Sequence, residues 1–234
     1  MVRARLFLPA AAVLALAAAP AAAQHVSSPY RYIEARQYVT LFGGRLVTQT
    51  GAAGLGPTSG NIFGAQFGFR LGGPFVIEAT LGYAPVKRVV RDTITLPAPD
   101  TTVFRPARPD SIANQGVLVA AAALRFDITG PRTWRGLQPY VLLGVGGAIG
   151  TTGQNGGDNS VPQDVRFGFG TSFAAQVGGG IEWYATRRLG LRLDGRGTLW
   201  KLHTPSAFLI RDHTLPPSEW TQNLSLVGGL AVHF

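Results

Sequence analysis

The segment Leu189–Trp200, LGLRLDGRGTLW, sets Leu189, Leu191, Leu193 and Leu199 on one parity and Arg192, Asp194 and Arg196 on the other. Alternation of this kind is the period of a β-strand, whose successive side chains point to opposite faces. It leaves two foldings open. In a soluble sandwich the leucines meet a core and the charges meet water. In a membrane barrel the leucines meet hydrocarbon and the charges point to the barrel axis. The rest of the chain has to decide between them.

Eight segments carry the same pattern: Gln37–Leu46, Asn61–Leu71, Phe75–Ala84, Gln115–Ile128, Gln138–Ile149, Thr171–Tyr184, Leu189–Trp200 and Trp220–Phe234. They are long for soluble strands, which average about 5–6 residues, and match the roughly 9–11 that a tilted membrane-crossing strand needs. No mature segment is apolar over the length of a transmembrane helix, and no convincing helical period occurs. The connections alternate. Val47–Gly60, Pro85–Asn114, Gly150–Gly170 and Lys201–Glu219 are long, whereas Gly72–Pro74, Thr129–Leu137 and Ala185–Arg188 are short. Short turns on one side and long loops on the other are the habit of outer-membrane barrels.

Charge placement agrees. Arg70, Glu78, Arg125, Asp127, Glu182, Arg192, Asp194 and Arg196 lie on the parity opposite the large apolar side chains, so a barrel gathers them into a lumen charge network. The set is balanced in sign, and pairing offsets the cost of burial. On a lipid face each arginine would cost roughly 2–4 kcal/mol at the midplane. A one-residue slip of the Leu189–Trp200 strand would therefore cost on the order of 5–8 kcal/mol. Arg45 shares its parity with Val39 and Leu41, and its facing stays open. Tyr83, Tyr140, Trp183, Tyr184, Trp200 and Trp220 fall near strand ends, where interfacial aromatic girdles belong.

The N-terminus reads as a secretory leader: Arg3 and Arg5, an alanine-rich apolar stretch, then Ala21-Ala22-Ala23 before Gln24. The expected organisation is a cleaved signal peptide at 1–23, a periplasmic segment at 24–36 and the barrel at 37–234. The 234-residue chain has no Cys, which excludes disulfides and thiolate chemistry. Its formal charge of +9 is scattered among strands and loops, without the stripe that a nucleic-acid partner calls for.

QPYVLLGVGGAI and FAAQVGGGIEWYATRRLGLRLDGRG resemble strands of the OmpA/OmpX-type outer-membrane β-barrel superfamily, and the final VHF resembles its C-terminal strand signal. The resemblance covers roughly the C-terminal half. It implies an all-β, eight-stranded antiparallel up-and-down transmembrane barrel with a polar lumen and an apolar exterior. It also implies recognition by the barrel assembly machinery through Phe234, location in the outer membrane, and contact with outer-membrane lipid and lipopolysaccharide. A monomer is expected. An eight-stranded interior is just wide enough for side chains to fill.

No metal, cofactor or catalytic residue is expected. The four His lack metal-ligand spacing. GVGGAIG (144–150) misses the dinucleotide-loop spacing. GQNGGDNS (153–160) reads as a flexible solvated loop rather than a calcium site. His203, His213, Ser206, Asp212, Ser218 and Glu219 share one loop and supply the residue types of a lipid A-modifying enzyme, but not in the deacylase order. Lys87, Arg88, Arg91, Arg105 and Arg108 make the Pro85–Asn114 loop cationic, able to meet lipopolysaccharide phosphates. VVRDTITL within it could prolong the preceding strand. The reading is a non-enzymatic outer-membrane barrel with a structural and surface-interaction role. The alternatives are a periplasmic lipocalin-like lipid-binding barrel and a lipid A-modifying outer-membrane enzyme.

Overall fold

A computed structural model describes residues 28–91, 110–153, 156–159, 161–211 and 213–234. The leader at 1–23 and the loop residues Asp92, Asp100, Arg105 and Arg108 lie outside them.

Eight long strands close into one antiparallel barrel: β2 (Gln37–Val47), β3 (Gly60–Gly72), β4 (Phe75–Val90), β5 (Ser111–Asp127), β7 (Leu137–Gly150), β8 (Thr171–Tyr184), β9 (Leu189–His203) and β10 (Ser218–His233). Each pairs with its neighbour in sequence, and β10 returns to β2 from Leu224↔Val47 to His233↔Tyr38. Closure leaves no barrel edge to be satisfied inside a bilayer. Two three-residue strands, β1 (Tyr30–Tyr32) and β6 (Arg132–Trp134), pair with each other at the short-turn end and touch the barrel through Trp134↔Leu137.

Alternation resolves the opening question. Leu191, Leu193 and Leu226 are 50%, 65% and 57% exposed, whereas Arg192 and Asp194 are 2% and 5% exposed. The same inversion runs round the wall, with Phe63, Phe67, Ile77, Leu124, Leu143, Val177 and Leu230 all outward. An apolar wall around buried charge suits hydrocarbon as the solvent. Arg45 also faces outward, at the long-loop rim, and donates to Asn61 Oδ1 at 3.3 Å.

β4 and β5 are 16 and 17 residues long and stay paired out to Val90↔Ser111, well beyond the roughly 9–11 residues a tilted crossing needs. The Val89-Val90 part of VVRDTITL therefore does prolong its strand; Asp92–Leu96 lies outside the described residues.

The interior has two storeys. Near the short turns it is ionic. Near the long loops it is mainly apolar, built from Phe42, Leu46, Ile62, Val86, Val119, Trp200, Leu202 and Val227, with the buried Arg88–Asp158 pair, Gln115 and Asn223 among them. Leu55 of the first long loop and Phe167 and Phe169 of the third insert from above, with Phe169 edge-on to Trp200 at 5.7 Å between ring centroids. The expected polar lumen thus lies in the lower half, under a mainly apolar plug that the sequence reading did not include. The inward parity of these strands turns apolar above the charges, and loop side chains complete the layer.

The aromatic expectation needs correcting at three positions. Trp200, Tyr140 and Tyr184 are buried in the lumen, because they share parity with Arg196, Gln138 and Glu182. Trp183 and Trp220 face outward and Tyr83 is half-buried, edge-on to Phe63. The GQNGGDNS reading also changes: residues 156–159 form a helical turn whose Asp158 is buried against Arg88.

Candidate functional site

The ionic storey is where the chain concentrates its chemistry. Every barrel strand contributes to it: Tyr38 from β2, Gln66 and Arg70 from β3, Glu78 and Thr80 from β4, Arg125 and Asp127 from β5. Gln138 and Tyr140 come from β7, Glu182 and Tyr184 from β8, Arg192, Asp194 and Arg196 from β9, and His233 from β10.

Arg125 is the most connected. Its Nε donates to Asp127 Oδ1 at 2.6 Å, Nη2 to Glu182 Oε2 at 3.0 Å and Gln138 Oε1 at 3.3 Å, and Nη1 to the Tyr38 hydroxyl at 3.2 Å. Its guanidinium lies 3.8 Å from the centroid of the Tyr140 ring. Glu78 receives Arg192 Nη2 and Arg196 Nη2 on its two oxygens, both at 2.6 Å, while the Tyr38 hydroxyl donates to Oε2 at 2.6 Å. Asp194 is held by Arg192 Nε at 3.1 Å, by Arg196 Nη2 at 3.3 Å and by the donating hydroxyl of Tyr140. Arg70 reaches Asp127 Oδ2 at 2.8 Å from the lower rim. His233 Nε2 sits 2.8 Å from Glu182 Oε1, with its ring 4.6 Å from that of Tyr184.

Arg70, Asp127, Arg125 and Glu182 thus form one charge-neutral set of ion pairs and Glu78, Arg192, Asp194 and Arg196 another, and the Tyr38 hydroxyl joins the two. Buried charge is tolerated on these terms. The tyrosines and Gln138 are the members that charge counting misses. Gln138 donates to Asp127 Oδ2 at 2.9 Å and accepts from the Tyr184 hydroxyl at 3.0 Å. Parity was the signal for them: Tyr140 lies two residues from Gln138, and Tyr184 two from Glu182.

Glycines make room for the rings. A Cβ on Gly68 would lie 2.1 Å from Tyr38 Cζ, and one on Gly180 would lie 2.5 Å from the Tyr140 hydroxyl. Both tyrosines lie against bare backbone on a neighbouring strand.

The loop carrying His203 and Ser206 assembles no nucleophile and base among the described residues. His203 and Ser206 are exposed, and Glu219 instead accepts from the Ala52 amide at 2.6 Å, tying the start of β10 to the first long loop. Phe234 is exposed, and its backbone exchanges hydrogen bonds with Gln37 at 3.0 and 3.1 Å.

An apolar wall, an eight-strand meander closed on itself, alternating loop lengths and a neutral ionic interior together define a transmembrane β-barrel of the outer-membrane type. Solved structures share that fold. Neisserial surface protein A aligns over 85% of this chain and 97% of its own, with a TM-score of 0.50 and 15% identity. The outer membrane protein OprG from Pseudomonas aeruginosa aligns over 86% and 96%, with a TM-score of 0.51 and 14% identity. No protein-family model matches the sequence, nor does any curated protein.

Proposed function

We propose that this chain is a monomeric, non-enzymatic integral protein of the outer membrane. Its lumen is a packed, stabilising core rather than a passage, and its long loops face the exterior. The observation that carries this reading is the pair of stacked seals. The ionic storey staples all eight strands, and the aromatic plug of Phe167, Phe169 and Trp200 caps it. The void left between the storeys is about 20 Å³, on the scale of a single water molecule.

At the long-loop rim, outward Arg45 and Lys87 offer cations to lipopolysaccharide phosphates, whereas Arg91 is paired with Asp110 at 3.1 Å, and strand β10 is the segment the assembly machinery would read. The outward leucines oppose a lipocalin-like carrier, whose apolar parity lines the lumen.

Three measurements test the reading. The detergent-folded protein should migrate faster on a gel before heating than after it. Added protease should cut the long loops in intact cells. Planar bilayers containing the protein should stay electrically silent. Steady single-channel steps would overturn the closed-lumen assignment.

A further inference from the structure

The short-turn end holds a second feature that the lumen does not use. A pocket of about 500 Å³ opens there between the β1 segment and the β8–β9 turn. Arg31, Arg187 and Arg188 line its walls, and Tyr184 and His233 contribute to the lining from the barrel end. Its size is that of a small-molecule site.

The walls are fixed by hydrogen bonds. Ile33 N donates to Pro131 O at 3.0 Å and Arg135 N to Pro29 O at 2.8 Å, anchoring the N-terminal segment. On the other side His233 N donates to Arg188 O at 2.8 Å, and the Thr186 hydroxyl accepts from Leu189 N at 3.0 Å. The charge, in contrast, is in positive excess. Tyr184 and His233 are committed to the lumen network, but Arg31, Arg187 and Arg188 form no ion pair among the described residues. Glu34 is the one carboxylate side chain in the lining. Around the pocket the same rim carries Arg36, Arg132 and Arg135, with exposed Tyr30, Tyr32 and Trp134 between them. Arginine beside exposed aromatic rings is the composition of a surface lying at a lipid headgroup layer.

We propose that this pocket binds the phosphodiester of an anionic glycerophospholipid in the periplasm-facing leaflet. Guanidinium donors from both walls would take the phosphate oxygens, and the aromatic rings would lie against the glycerol and upper acyl region. The proposal rests on the outer-membrane reading, because that reading places the short turns at this leaflet.

The test uses the folded full-length mature protein in mixed micelles, with retained lipid counted by native mass spectrometry. Dioleoyl phosphatidylglycerol should be retained over dioleoyl phosphatidylcholine by roughly tenfold, the scale of a few charge-assisted contacts. R187Q/R188Q should abolish that preference, R31Q should weaken it, and K201Q at the opposite rim should leave it intact. Equal retention of the two lipids by the wild type overturns the proposal, as does an unchanged preference in R187Q/R188Q. If inorganic phosphate alone displaces the bound lipid at low millimolar concentration, the site is for free phosphate and the lipid assignment fails. Heat-modifiable migration is recorded for each variant. Loss of it in the wild type would sink the barrel reading, whereas its retention with no lipid preference sinks only the pocket.

Discussion

Arg125 shows what an individual residue does in this fold. It is fully buried, and its guanidinium serves two carboxylates, an amide and a phenol. Removing it strands Asp127 and Glu182 without their main counter-charge. Arg125→Leu should cost about 3–5 kcal/mol, read by urea unfolding from lipid vesicles. Adding Glu182→Gln should cost less than the sum of the two single changes, because the second substitution removes a charge that the first left unpaired. Gly68 acts by absence. Gly68→Val would drive a side chain into the Tyr38 ring, 2.1 Å from where its Cβ falls. The single variant should lose its heat-modifiable migration, and Tyr38→Ala in the same chain should restore it in part.

At the level of the strand, parity is the governing fact. Leu193 and Asp194 are adjacent yet face opposite media. Leu193→Arg should destabilise by roughly 2–4 kcal/mol in vesicles, because the new guanidinium lies in hydrocarbon. The same change in detergent should cost less, since a micelle deforms more readily around a charge. This level is also where the sequence was most legible. Period-two alternation identified all eight barrel strands and separated Leu191 from Arg192, because burial on one face imposes a pattern that no single contact has to supply. The site was legible only in part. Arg192 and Glu78 could be read as inward, but Tyr140 and Tyr184 were assigned by nearness to strand ends when their parity pointed to the lumen. The apolar storey was hidden for a different reason. Its loop members Phe167, Phe169 and Leu55 have no period to read, and Phe169 meets Trp200 only after the chain has closed. The extension of β4 to Val90 was legible in Val89-Val90, the start of VVRDTITL.

For the whole molecule, the consequence of two storeys is a division of labour. The ionic half fixes which strands meet and in what register; the aromatic half keeps water from reaching it from the long-loop side. Phe167→Ser with Phe169→Ser should therefore open the upper half without dismantling the lower. Acrylamide should quench tryptophan emission more strongly in that variant, as Trp200 becomes accessible. The folded gel mobility should persist at moderate temperature, with unfolding shifted to lower urea. If Trp200 stays shielded, the plug is made by other side chains.

The seam between β2 and β10 has a temporal corollary. The first long strand finds its second neighbour only when the last one has been made, so a growing chain cannot bury its edges piecemeal. Until then both flanks of the sheet display unsatisfied amides and carbonyls, which hydrocarbon tolerates poorly. Insertion and ring closure must in consequence be nearly simultaneous, and a nascent polypeptide halted before Trp220 has no stable resting place in the membrane.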